Sequence, residues 1–120
     1  VAEAGVLLAR VTQLKEKGRM HFVGIDTGMN SLIRPMLYGA FHSIVNLTRM
    51  GQPMSRTVNV VGPICESGDT LGYARVLPET QVGDVLLIGH AGAYGQCMSS
   101  AYNMREPAQA SVLGEVFAAV

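Results

Sequence analysis

From Val6 to Leu14 the chain is rich in apolar and β-branched residues, breaks at Lys15-Glu16-Lys17-Gly18, and resumes from Met20 to Ile25. Two such runs around a polar, glycine-closed break predict a β-hairpin. Further strands are predicted over Ser43 to Arg49, Thr57 to Val61, Thr70 to Leu77 and Val85 to Ile88. Gly51-Gln52-Pro53, Gly62-Pro63 and Val82-Gly83-Asp84 separate them, because glycine permits positive φ and proline withdraws a ladder donor. Met98 to Met104 is the best candidate for a short helix, and Ser111 to Val120 reads equally as a last strand or an amphipathic turn. The pattern predicts an all-β fold, a sandwich or barrel-like sheet with one or two short helices.

Composition agrees with short segments: 14 glycines and 5 prolines in 120 residues leave little room for long helices. The length suits one domain, 1–120, and is too short for two ordinary ones. Nine basic residues balance nine acidic ones without clustering, which removes the electrostatic footprint of a nucleic-acid or anionic-membrane binder. The longest strongly apolar stretch, Val85 to Ile88, falls far short of the roughly 18 residues of a membrane span. Cys65 and Cys97 allow at most one bridge and no signal peptide is visible, so the chain reads as cytoplasmic with reduced thiols. Opening at Val1 in mid-pattern and stopping on apolar Val120, it reads as part of something longer.

Candidate chemistry lies in three clusters. Asp26-Thr27-Gly28-Met29-Asn30 leads to Arg34-Pro35-Met36-Leu37-Tyr38-Gly39, where an arginine fork and a nearby phenol suit a carboxylate. The alternative, which composition alone favours, is an arginine that ties down loop carbonyls beside a tyrosine half-buried at a sheet edge. Gly62 to Asp69 sets the Cys65 thiol beside Glu66 and Asp69. Neighbouring negative charge raises a thiol pKa and suits it to donating a proton; the alternative is a small loop residue with both carboxylates in water. Gly92-Ala93-Tyr94-Gly95 runs into Met98 to Asn103, its small residues allowing close approach to Tyr94 while Ser99 and Ser100 are suited to helix capping. Cys97 reads as a packing residue, and His42 and His90 as hydrogen-bonded core or loop residues. The histidines and cysteines lack the paired spacing of a zinc site.

In order and spacing, FVGIDTGMNSLIRPMLYGAFHSI, VVGPICESGD and GDVLLIGHAGAYGQCMSSAYN resemble the C-terminal β-domain of the diaminopimelate decarboxylase family. These fold-type III pyridoxal-phosphate enzymes are related to ornithine and arginine decarboxylases and alanine racemase. The likeness runs from the opening hairpin to Asn103, and the tail beyond departs from the pattern. It implies a two-domain homodimer whose absent N-terminal α/β barrel carries the Schiff-base lysine, Lys15 and Lys17 lying in a solvated turn. It also implies that Arg34 and Tyr38 hold a substrate carboxylate and that Glu66 reads the substrate's distal end. By the same resemblance Cys65 protonates from the neighbouring subunit, and Tyr94 touches pyridoxal 5'-phosphate and substrate. The implied partners are an amino-acid substrate, the barrel and a second copy, with no nucleic acid or membrane. Residues 1–120 alone are then expected to be inert, their ligand loops assembling in the dimer. Two other readings stay open: a decarboxylase of the same fold for another amino acid, and a catalytically silent dimerisation or regulatory domain.

Overall fold

Alternation sets the first strand: Leu7, Ala9 and Val11 are buried while Val6, Leu8 and Arg10 face outward. In the computed structural model, which describes residues 5–64 and 67–112, this strand is β1, Leu7–Lys17. There follow β2 (Met20–Ile25), α1 (Arg34–Tyr38), β3 (Ile44–Asn46), β4 (Arg56–Val61), β5 (Thr70–Leu77), β6 (Val85–Ile88) and α2 (Ala93–Cys97). A 3-10 turn spans Tyr102–Met104. The strands form one sheet in the order β3-β6-β1-β2-β4-β5. β2 and β4 run parallel, and the other described pairings are antiparallel.

The sheet curls until its two edges meet. Gly72 of β5 lies so close to Ile44 of β3 that a Cβ there would stand 2.7 Å from Ile44 Cδ1. Arg75 Nη1 donates to the His42 carbonyl at 2.6 Å, and its guanidinium lies 4.0 Å from the centre of the Phe41 ring. Side chains thus close the barrel-like sheet where ladder bonds do not. Inside lie Val11, Val23, Ile25, Val58, Val60, Leu71, Leu77, Leu86 and Ile88, contributed by alternate positions of five strands. The all-β, barrel-like expectation is met.

Several boundaries differ from the expected ones. β1 runs through Lys15-Glu16-Lys17, paired with Phe22, His21 and Met20, and the chain turns only at Gly18, whose φ is 61°. Both faces are exposed there, so hydrophobic alternation fades while the ladder continues. Lys15 and Lys17 are therefore strand residues, solvated but not in the turn. β3 ends at Asn46 instead of Arg49, because Asn46 Oδ1 accepts the Arg49 N–H and bends the chain away. The late helix occupies Ala93–Cys97 instead of Met98–Met104, with Asn103 and Met104 left-handed at φ of 59° and 58°. Ser99 Oγ donates to the Gln96 carbonyl and the Ser100 N–H to the Asn30 carbonyl, which closes α2 and leads the chain off. Ser99 thus binds the C-terminal end of a helix, not its start, and Ser100 binds the first cluster. Of the segment Ser111 to Val120, residues 113–120 lie outside the described residues.

Candidate active site

Strand direction brings the three clusters to one end of the sheet. Leu7 pairs with Ile88, so the end of β6 opens beside the start of β1, and Val61 at the end of β4 lies across from Gly24 of β2 and Thr70 of β5. The segments 26–38, 62–69 and 89–97 therefore leave the barrel on the same side. Met36 of α1 lies against Gly68, where a Cβ would stand 2.8 Å from Met36 Cγ, and Gly95 of α2 lies against Leu32. The described flanks of the three clusters thus converge within one chain around residues 28–36.

Asp69 binds the first two together. Its carboxylate is buried, and it accepts the Met29 N–H at 2.7 Å on Oδ1 and the Ile64 N–H at 2.8 Å on Oδ2. Its own carbonyl accepts the Gly62 N–H at 3.0 Å. These bonds tie Gly62 and Ile64 to Asp69 at the far end of the 62–69 segment. Gly28 and Gly62 press on the carboxylate from both sides: a Cβ on Gly28 would stand 2.5 Å from both oxygens, and one on Gly62 would also strike Asp69. Burial pushes the Asp69 carboxyl above its usual range, against the two N–H bonds that pull it down. The expectation of Asp69 in water is therefore corrected. Asp69 was not singled out by sequence, because nothing in CESGD distinguishes the carboxylate that turns inward.

Asn30 and Ser31 fasten the following tail. Asn30 Nδ2 donates to the carbonyls of Arg105 and Glu106, Asn30 Oδ1 accepts the Gly28 N–H, and Ser31 Oγ accepts the Ala108 N–H at 2.8 Å. Most of the first cluster is therefore scaffold: buried polar side chains replace a β-ladder where the chain is irregular.

Arg34 and Tyr38 are different. Arg34 opens α1 beside Pro35, half-buried, and Tyr38 ends it with 65% of its surface exposed. Among the described residues neither side chain has a hydrogen bond or ion pair, so the alternatives of an arginine tied to loop carbonyls and a half-buried tyrosine are not what is seen. Cys65 and Glu66 lie outside the described residues, as does the Tyr94 side chain, although Tyr94 stands in the first turn of α2. Cys97 is exposed, which corrects its reading as a packing residue. His90 is exposed with φ of 56°, while His42 is fully buried and bonded through Nδ1 to the Gly89 carbonyl. No group of metal-binding side chains occurs among the described residues, and no described helix is long and apolar enough to cross a membrane.

Away from these loops, Asp84 ties Arg49, Asn46 and the Gln81 N–H into one buried knot, with Arg49 Nε at 2.6 Å from Oδ2. Burial alone would raise its pKa, but the bonds from Arg49, Asn46 and Gln81 and the charge of Arg49 together hold it below the usual carboxylate range. A depressed folded-state pKa adds stability above the unfolded value of about 4, and this is lost as pH falls through the folded value. Asp84→Asn is expected to lower the thermal midpoint at pH 7 and to flatten the loss between pH 5 and 3. Parallel acid-side slopes in variant and wild type would contradict this.

Comparison with known proteins bears on the same loops. Residues 2–92 match the family model described as "Pyridoxal-dependent decarboxylase, C-terminal sheet domain". The diaminopimelate decarboxylase of Aquifex aeolicus is 46% identical over 115 residues, which cover 96% of this chain and 27% of that protein. That of Archaeoglobus fulgidus is 47% identical over 113 residues, covering 94% of this chain and 26% of that protein. The crystal structure of the M. jannaschii diaminopimelate decarboxylase in complex with L-lysine superposes with a TM-score of 0.83 at 42% identity, covering 88% of this chain and 24% of that one. The chain thus spans about a quarter of the length of the curated relatives it matches. A barrel-like sheet of this strand order, with three motif-bearing loops at one end and a family match over residues 2–92, leads to one assignment: the chain belongs to the C-terminal sheet domains of pyridoxal-dependent decarboxylases.

Proposed function

We propose that this chain is the C-terminal domain of a cytoplasmic, homodimeric diaminopimelate decarboxylase, which converts meso-diaminopimelate to L-lysine and carbon dioxide. Its cofactor is pyridoxal 5'-phosphate, and its N-terminal α/β barrel bears the lysine that holds the cofactor. The carrying observation is that Arg34 and Tyr38, unpartnered among the described residues, stand on the face where the segments flanking Cys65 and Tyr94 also emerge. The names of the relatives, and the L-lysine in complexes of two structural neighbours, point to the same substrate and product.

The residues present fit a cofactor that is held elsewhere and touched here. Lys15 and Lys17 close the far end of an 11-residue strand, about 30 Å along β1 from the ligand face at about 3.3 Å per residue. Neither is placed to bond the cofactor, whereas Tyr94 and its small neighbours are at that face. Held by the barrel and touched at this face, pyridoxal phosphate would supply the electron sink for loss of the α-carboxylate as carbon dioxide. Arg34 grips a substrate carboxylate with its planar fork, and Tyr38 adds a phenol donor. Glu66 pairs with the amino group at the substrate's distal end. Cys65, reaching in from the partner subunit, donates its thiol proton to the α-carbon once the carboxylate has left. The exposed Leu37 and Tyr38 of α1, Phe41 just beyond it and Tyr73 of β5 support an interface with the barrel or a second copy.

The full-length enzyme tests this directly: release of lysine and carbon dioxide from meso-diaminopimelate is expected, with little turnover of ornithine or arginine. Preference for ornithine or arginine would move the assignment to another decarboxylase of this fold, and no turnover would favour a silent domain. In the active enzyme, Arg34→Lys replaces a two-pronged contact with a point charge, and kcat/KM is expected to fall by about one to two orders of magnitude. An unchanged value would make Arg34 structural.

A further inference from the structure

His42 is wholly buried four residues beyond Tyr38, and among the described residues its ring makes one directed bond: Nδ1 lies 2.9 Å from the Gly89 carbonyl. A carbonyl only accepts, so Nδ1 carries the proton and Nε2 is left as an acceptor. Nε2 is buried and has no hydrogen-bond partner among the described residues. An orphaned buried acceptor costs stability, and an apolar side chain of similar size would avoid that cost. His42 is therefore a poor choice for packing, and what it adds over an apolar residue is the bond to Gly89.

That bond has a particular position. Gly89 is where β6 ends and the segment leading to Tyr94 begins, and its N–H is held by the Ser43 carbonyl at 2.9 Å. Further on, the Ala91 N–H donates to the Gly5 carbonyl and Gly95 rests on Leu32. Among these anchors His42 supplies a side chain, and it comes from the stretch that links α1 to β3. The His42 carbonyl is itself held by Arg75 at 2.6 Å, so the histidine cannot drift with the loop. We infer that His42 is a positioning residue that sets the Tyr94 segment relative to the helix carrying Arg34 and Tyr38, through Nδ1–H and not through its bulk. The inference rests on the decarboxylase reading for its kinetic consequence, though not for the structural one.

Asparagine and glutamine separate the two nitrogens. The Asn amide nitrogen falls near the position of Nδ1, whereas the Gln amide reaches toward that of Nε2. In the full-length enzyme, His42→Asn is expected to keep kcat/KM within about threefold of wild type, while His42→Gln and His42→Leu lose at least tenfold, with His42→Leu close to wild type in thermal midpoint. Hydrogen–deuterium exchange of the peptide covering 89–96, read without substrate, is expected to quicken in the Gln and Leu variants and not in the Asn variant. Equal losses in all three variants, or losses that follow the thermal midpoint, would overturn the inference. Should His42→Leu not fold, the Asn and Gln pair decides alone. Should the wild-type enzyme not decarboxylate diaminopimelate, the functional reading fails and the exchange measurement still decides the role of His42.

Discussion

Gly62→Ala in the full-length enzyme is expected to destabilise this domain by about 3 kcal/mol or more, a large share of the usual margin of 5–15 kcal/mol. The added methyl would land on the Asp69 carboxylate and within 2.5 Å of the Gly28 Cα. Neither neighbour can yield cheaply. Asp69 is pinned by the Met29 and Ile64 N–H groups, and Gly28 is backbone in a buried turn. Moving the carboxylate would strand both donors, so the variant exchanges a steric clash for two unsatisfied buried N–H groups. Gly51→Ala is the control. Gly51 has φ of 85° and nothing within 4 Å of the added carbon, so it carries only left-handed backbone strain, about 1 kcal/mol. Thermal or urea midpoints of both variants check the contrast, and equal shifts would mean that the Asp69 knot is soft.

A quarter of wild-type activity is expected when two inactive full-length variants are unfolded, mixed and refolded, one Cys65→Ala and the other lacking the cofactor-bearing lysine of the barrel. This tests the proposal that Cys65 acts in the partner subunit's site. If sites are shared across the dimer, each mixed dimer holds one site with both groups intact and one with both missing. Random pairing makes half the dimers mixed, and half of their sites work, which gives about one quarter under two-fold symmetry. No recovery, with mixed dimers confirmed by mass, would return Cys65 to its own chain's site or remove it from catalysis. Cys65→Ala must first be shown to be nearly inactive, since water can otherwise supply the proton.

Alternation and turn residues made most of the sheet legible in advance. β2, β4, β5 and β6 lie at or within a residue of their expected limits, because their inward positions carry Val, Ile and Leu and glycine or proline punctuates the gaps. The pattern lost its hold where burial ended or a side chain took over. The last turn of β1 is exposed on both faces and so has no periodicity to display, and Asn46 cuts β3 short by capturing the Arg49 N–H. Short helices carry too few residues for a period, which is why α2 falls one segment earlier than expected.

At the candidate site, residue type alone marked Arg34, Tyr38, Cys65, Glu66 and Tyr94, and their motifs carried the family likeness that comparison then established. The bond from Met29 to Asp69, the pressure of Gly28 on that carboxylate, and the bond from His42 to Gly89 join positions 40 to 47 residues apart in the chain. No local pattern encodes such pairings. They follow from the parallel β2–β4 pairing and the return of β6 alongside β1, which bring distant loops to one end of the sheet. Once there, their unpaired backbone N–H and C=O groups need partners, and buried side chains provide them.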